Sequence, residues 1–363
     1  MLSPLMPIIE VDLELDHSQA GGLFLLIALG YFVALMASGY VSSRIQHRRT
    51  IVLSAVMLGL TLIGTSFSRD LWGVRLGMIM VGVTAGLYFP SGMATITSLF
   101  APHHWGRAIG VHELAPNLAC VAAPLLVELL LRWISWRSSL ALTGLISLLL
   151  GGAFAWFGSG GEFKGQAPAL TFLRSLCRQP VFLIMVLLFG LGIGSTMGVF
   201  SMLPLFLVSE RGMDPNQANF LVALSRLPTL GTALLGGWLA DRVGAGKTLP
   251  TLLLATGTMT LLAGIAPYPW LVPVIVLQAM LAVGFFAPAF AVISSLSMTT
   301  SRNLVISFTV PFAYLLGAGV APTLIGLCGK EGSFAIGIGA LGVLLILGGG
   351  LAGFLRPPAE SEP

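Results

Sequence analysis

Eleven stretches of about 20 mostly apolar residues run through this 363-residue sequence, and each is long enough to cross a bilayer as an α-helix. They lie near 21–43, 49–67, 71–99, 106–131, 138–158, 181–208, 217–240, 248–266, 270–297, 303–327 and 334–355. A twelfth, incomplete stretch covers residues 1–9. A segment in lipid must satisfy its backbone N–H and C=O groups internally, which restricts it to helices or closed barrels, and continuous runs of this length are helical. Composition removes the soluble alternative. The chain is 56% hydrophobic and 9% charged, whereas soluble domains carry roughly a quarter charged residues. A mean hydropathy of +0.95 agrees.

The net charge of +4 comes from 18 basic and 14 acidic residues scattered along the chain, which excludes a nucleic-acid footprint. Cys120, Cys177 and Cys328 are far apart, so neither a zinc site nor a disulfide framework is expected. The N-terminus MLSPLMPIIEVDLELD lacks a basic region and a long apolar core, so no cleavable signal peptide is expected.

Orientation follows from the basic residues at the span ends. One set of ends carries Arg44, Arg48, Arg49, Arg107, Lys164, Arg174, Arg178, Arg242, Lys247, Arg302 and Arg356. The other carries Arg69, Arg132, Arg137, Arg211 and Lys330. The richer end is expected to be cytoplasmic, in the cell (inner) membrane, with a cytoplasmic C-terminus. Arg75 and Arg226 fall inside apolar stretches.

The chain also repeats itself at an offset of 198 residues. Gly39-Tyr-Val-Ser-Ser-Arg44 aligns with Gly237-Trp-Leu-Ala-Asp-Arg242, Asp16 with Asp214, Gly86 with Gly284 and Pro90 with Pro288. Past a loop the offset becomes 195, aligning Arg107 with Arg302 and Pro116 with Pro311. Two parallel six-helix halves follow: a bundle at 1–158, a cytoplasmic linker at 159–178 and a bundle at 179–363. Parallel repeats of this kind place a solute site between the halves near the midplane. On this register helix 1 has lost its first two-thirds, for which a misassigned start or a truncated chain is expected over a natural eleven-helix protein.

The motif GWLADRVGAGK, Gly237 to Lys247, resembles the signature loop of the major facilitator superfamily, which joins helices 2–3 and again 8–9 in that family. Arg75 with Gly82, Gly86 and Pro90 is similar to the family's helix-4 motif, and the resemblance covers essentially the whole chain. It departs in two places. Ser43 stands where the family usually has Asp, and the glycine-rich antiporter motif of helix 5 is replaced by RAIGVHELAPNLACVAAP. The resemblance implies a rocker-switch cycle, with the loop residues Gly237, Asp241, Arg242, Ser43 and Arg44 closing the cytoplasmic side. By pseudo-symmetry Asp241 would meet the helix start near Arg107, and Ser43 the one near Arg302. A carboxylate in the positive end of a helix dipole is worth about 0.3–1 kcal/mol, so the latch is expected to rest mainly on Asp241.

Charges inside a membrane are functional candidates by default, because each costs at least about 2.5–3.5 kcal/mol at the bilayer centre. Arg226 lies near mid-depth and its repeat mate is Ala28, so symmetry does not require it. Its guanidinium fork suits an anionic group of a substrate, and anion porters of the superfamily, nitrate/nitrite porters among them, are similar in placing an arginine here. The other reading is a buried Arg neutralised by a carboxylate or by backbone carbonyls. Glu113 and His112 lie two turns into helix 5, where Glu113 is read as a proton site tuned by His112, as a brace for the cytoplasmic end, or as a substrate contact. Arg75, near the outer interface, is read as structural, as is the small-residue face of Gly82, Gly86 and Pro90, which permits close helix contact. Tyr88, Tyr314, Asn117, Ser195 and Thr196 sit at depths suited to a central cavity.

Gly244-Ala-Gly-Lys-Thr248 lacks the first glycine of a phosphate-binding loop, and Gly337-Ile-Gly-Ala-Leu-Gly342 lies inside an apolar helix. No enzyme, cofactor or metal is expected. The expected function is secondary transport of a small solute, an anion by the Arg226 reading, with protons as the candidate coupling ion and the protein a monomer in the lipid bilayer. Efflux of apolar or cationic compounds by proton antiport is the rival in the same class. A membrane sensor or scaffold is the rival from another class.

Overall fold

A computed structural model describes residues 1–101, 104–166, 175–296 and 302–354, and no strand occurs among them. The chain is a succession of helices: α1 (Leu2–Asp12), α2 (His17–Ile45), α3 (His47–Ser66), α4 (Leu71–Leu99), α5 (Trp105–Leu131) and α6 (Trp136–Phe157). The second series is α7 (Pro180–Glu210), α8 (Pro215–Arg226 and Thr229–Val243), α9 (Ala245–Ile265), α10 (Tyr268–Gly284 and Phe286–Leu296), α11 (Arg302–Lys330) and α12 (Phe334–Gly353). Among the described residues ten helices are long and apolar enough to cross a membrane, eleven with the bent α8 taken as one span. The architecture is two six-helix bundles with pseudo-twofold symmetry, α1 being the short member at 11 residues.

The 198-residue repeat is written in the backbone. Asp16 caps α2 by accepting from the Gln19 N–H, and Asp214 caps α8 by accepting from the Asn216 N–H, each satisfying an orphan donor of a helix start. Gln46 between α2 and α3 has φ 74° and ψ 158°, and Gly244 between α8 and α9 has φ 94° and ψ 134°. Glutamine holds in the first turn a left-handed conformation that glycine holds freely in the second. α4 breaks after Gly86 and α10 after Gly284. A Cβ at Gly59 of α3 would lie 2.6 Å from the Gly144 carbonyl oxygen of α6, and one at Gly257 of α9 would lie 2.7 Å from that of Gly342 in α12. Both bundles therefore use a glycine pair to bring two backbones together, as apolar helices in lipid do when packing rather than water drives association.

Breaks inside the spans have local causes. Pro90 has no N–H to give the carbonyl one turn back, and α4 restarts at Tyr88. Hydroxyls of neighbouring helices occupy carbonyls there: Ser38 donates to Leu87 O at 3.2 Å and Ser54 to Thr84 O at 2.6 Å. The expected uninterrupted span at 217–240 is instead broken at Leu227 and Pro228, because proline ends the ladder there.

An ion pair and side-chain hydrogen bonds join the bundles at one end. Lys330 of α11 pairs with Asp16 at 3.1 Å, Asn219 of α8 donates to Glu128 of α5 at 2.5 Å, Ser3 donates to Phe200 O at 2.8 Å, and Thr323 donates to Gly21 O at 3.2 Å. All lie on the end away from the arginine-rich loops. Burial pushes the Asp16 carboxyl up, but the Gln19 N–H and the Lys330 ammonium outweigh it and hold this carboxyl below the usual carboxylate range. The bridge is thus intact at neutral pH.

At the arginine-rich end the linker folds back on its own bundle. The N–H groups of His47 and Arg48, which open α3, donate to Phe163 O at 3.1 Å and Gly161 O at 2.8 Å. The Arg48 guanidinium donates to Gly158 O at 2.8 Å and pairs with Glu162 at 3.0 Å.

Candidate functional site

α7 is not a uniform α-helix. It widens into a π turn over Gly194–Gly198 and again over Phe206–Glu210. A π turn inserts one residue and offsets the regular ladder, which is why such turns mark functional positions in helices. Here carbonyls of the first turn are met by side chains from two other helices. Ser195 O accepts from Gln278 Nε2 of α10 at 2.8 Å, and Thr196 O accepts from Arg226 Nη2 of α8 at 2.7 Å.

Arg226 is 4% exposed. Its guanidinium lies over the Phe200 ring, 4.6 Å from the centroid. Among the described residues no carboxylate stands within ion-pair distance of it, and Nη2 alone of its nitrogens has a hydrogen-bond partner. A guanidinium carries five N–H donors in a rigid fork. One carbonyl and one ring face leave most of that fork without a protein partner, and among the described residues no anionic group balances its charge.

Ser195 and Thr196, read as cavity residues, are 1% exposed, and their hydroxyls turn back to Gly192 O at 2.8 and 3.2 Å. They contribute backbone carbonyls rather than hydroxyls. Gln278 carried no signal in the sequence: it is uncharged and its repeat mate is Met80.

A second cluster sits on α5 and the α4 break. Tyr88 Oη and His112 Nε2 are 2.9 Å apart with their rings stacked, and His112 Nδ1 lies 3.3 Å from Glu113 Oε1. Asn117 spends its amide nitrogen on Glu113 O at 2.7 Å. The fold therefore groups Tyr88, His112, Glu113 and Asn117. Tyr314 of α11 meets Tyr31 of α2, ring centroids 4.5 Å apart, across the seam between the bundles. Tyr31 was invisible to the charge-based reading.

The remaining candidates lie apart from this centre. Asp241 is exposed and has no partner among the described residues, and Gly237 has only the Ala287 side chain near it. Arg242 covers Trp238, Arg44 reaches Tyr40 Oη at 3.2 Å, and Ser43 donates to Tyr40 O at 2.7 Å. Arg107 is exposed, and the Arg302 side chain lies outside the described residues. The described side-chain partners of Ser43, Arg44 and Arg242 all lie within their own bundle. Arg75 lies over the exposed Trp72 at the far end of α4, 4.9 Å from the ring centroid. Gly82 and Gly86 press α4 against α2: a Cβ at Gly82 would run into Ile27 O, and one at Gly86 would lie 2.8 Å from Tyr31 O. Pro90 lies at the α4 break.

Comparison with known proteins gives a consistent picture. The family model of the Major Facilitator Superfamily matches residues 1–214 and again residues 193–363. An MFS-type efflux pump of Mycolicibacterium smegmatis is 27% identical over 93% of this chain and 82% of its own length. The 3-(3-hydroxy-phenyl)propionate transporter of Escherichia coli K12 is 25% identical over 96% of this chain and 87% of its own. Among solved structures, a bacterial homologue of the human lysosomal transporter Spinster, inward-facing and occupied, superposes with a TM-score of 0.78 at 16% identity, covering 98% of this chain and 92% of that one.

Proposed function

Since the chain belongs to the Major Facilitator Superfamily, we propose that it carries an organic anion through a multi-pass path between bundles 1–158 and 179–363, with Arg226 holding the anion. That it is a secondary transporter of a small solute, and not an enzyme, follows from the family and from its transporter-named relatives. The anion rests on one observation: a buried guanidinium with no carboxylate beside it. A desolvated charge without a partner is costly, and a bound anion supplies what the protein leaves out. The Escherichia coli relative is named for transport of a carboxylate, which supports this reading.

The arginine-rich end is cytoplasmic, the linker at 159–178 lies on that side, and the protein works as a monomer in the cell membrane. The ion pair and hydrogen bonds joining the bundles at the other end support a state open to the cytoplasm. In the opposite state Asp241 docks at the start of α5 near Arg107. With Asp241→Ala, spin-label distances across the cytoplasmic ends should shift further towards the open population. An unchanged distribution would remove Asp241 from the latch.

Glu113, beside His112 and half in water, carries the proton. In proteoliposomes Glu113→Gln should reduce gradient-driven uptake to the rate seen without a pH gradient, while solute exchange at equal pH continues. Equal loss of both would assign Glu113 to bracing or substrate contact instead.

The reading is tested by uptake of small carboxylates, nitrite and phosphate into proteoliposomes of the full chain. Arg226-dependent uptake of at least one anion is expected. Transport of cationic or neutral compounds alone, undiminished by Arg226→Gln, would favour the efflux alternative that the mycobacterial relative suggests.

A further inference from the structure

We infer that the substrate is an organic monocarboxylate with a flat aromatic body, its carboxylate on Arg226 and its ring against Phe200 and the Tyr31–Tyr314 pair. The inference rests on the reading of Arg226 as the anion site.

Charge sets the first limit. Arg226 is the one arginine or lysine described at mid-depth. Arg75 stands at the far end of α4 over Trp72, and Arg211 follows α7, covering Phe206. One buried cation matches one negative charge. A dianion would keep its second charge unmatched in a low-dielectric site.

Hydrogen-bonding capacity sets the second limit. Around Arg226 the hydroxyls of Ser195, Thr196, Ser225 and Thr229 all donate to carbonyls of their own helices, at 2.8, 3.2, 2.8 and 2.7 Å. Gln278 Nε2 is committed to Ser195 O. Beyond the Arg226 fork and the Tyr31 and Tyr314 hydroxyls, a polyhydroxylated acid entering this region would lose its water and find few side-chain donors to replace it, which weakens its binding.

Ring faces set the third. Phe200 lies under the guanidinium, and Tyr31 and Tyr314 meet across the seam with their centroids 4.5 Å apart. Phe200, Tyr31 and Tyr314 are all partly exposed although they lie deep in the bundles. Aromatic faces favour offset or edge contact with another ring. The pair joins α2 to α11, so a ring lodged there touches both bundles, which is where a substrate must act to bias a rocking motion.

The test is binding to the full-length purified protein in nanodiscs, by calorimetry, of 3-phenylpropionate, galactonate and nitrite. We expect 3-phenylpropionate to bind most tightly. Tyr314→Ala should weaken it by roughly five- to tenfold, the scale of a lost aromatic contact, while Tyr314→Phe keeps it within about twofold. Tyr31→Leu provides a second reading if Tyr314→Ala does not fold, and the ranking of ligands on the unaltered protein needs no variant at all. Galactonate or nitrite binding as tightly as 3-phenylpropionate, and depending on Arg226, would overturn the aromatic class and leave the anion site standing. An equal loss in Tyr314→Phe and Tyr314→Ala would overturn the ring contact in favour of the hydroxyl. If no anion binds, or binding ignores Arg226→Gln, the anion reading itself falls, and this inference with it.

Discussion

Arg226→Gln should lower affinity for the transported anion by on the order of a hundredfold, since truncating one partner of a buried charged pair costs roughly 2–5 kcal/mol. The same substitution should leave thermal stability unchanged or raise it. In the empty protein the guanidinium is desolvated and lacks a carboxylate, and replacing a buried charge that lacks a counter-charge by a shorter neutral group relieves that penalty. Arg226→Lys should recover only part of the affinity, because an ammonium is a point charge and cannot present the planar fork. Ligand-induced stabilisation and uptake, measured beside unfolding of the empty protein, check all three. A fall in stability of several degrees with transport intact would instead make Arg226 a structural brace for the α7 π turn.

The second large effect concerns the α2–α4 contact. Gly82→Ala should destabilise the protein by about 3 kcal/mol, the upper end of the usual overpacking range. A methyl group there meets the Ile27 carbonyl oxygen and the Tyr31 backbone nitrogen, and Gly30 on α2 faces Ile79 O in the same way. Both obstacles are main chain, so no side chain can turn aside. The helices must separate, and Tyr31, whose backbone borders Gly82 and Gly86, moves with them. Gly152→Ala in α6 is the matched control. Nothing lies within 4 Å of its added Cβ, and a glycine-to-alanine change in open helix is neutral or stabilising by up to about 1 kcal/mol. Thermal unfolding of the two variants in one detergent compares them directly. Similar midpoints would mean that α2 and α4 are not held by backbone contact.

The spans were legible because each depends on a local quantity. A stretch of apolar residues partitions into lipid according to its own composition, so the expected 21–43 and 71–99 meet the observed His17–Ile45 and Leu71–Leu99 closely. The repeat was legible because caps and turns need particular residue types: Asp16 and Asp214 do the same work 198 positions apart. Arg226 and Glu113 stood out because charge in an apolar run is conspicuous.

The partners of those residues were not legible. The π turn at Gly194–Gly198 leaves hydropathy untouched, since one extra residue in an apolar helix changes no composition. Gln278 meets a carbonyl 83 positions away, and Tyr31 meets Tyr314 on the other bundle. Ser195 and Thr196 sit at the right depth, yet helix rotation and burial turned their hydroxyls inward. By itself the sequence determined which segments are apolar enough to enter a membrane and where a charge is trapped among them, because transfer from water to lipid is summed along one segment at a time. Only the tertiary structure decided what that charge touches, because contact distance depends on how helices far apart in the chain are rotated and pressed together.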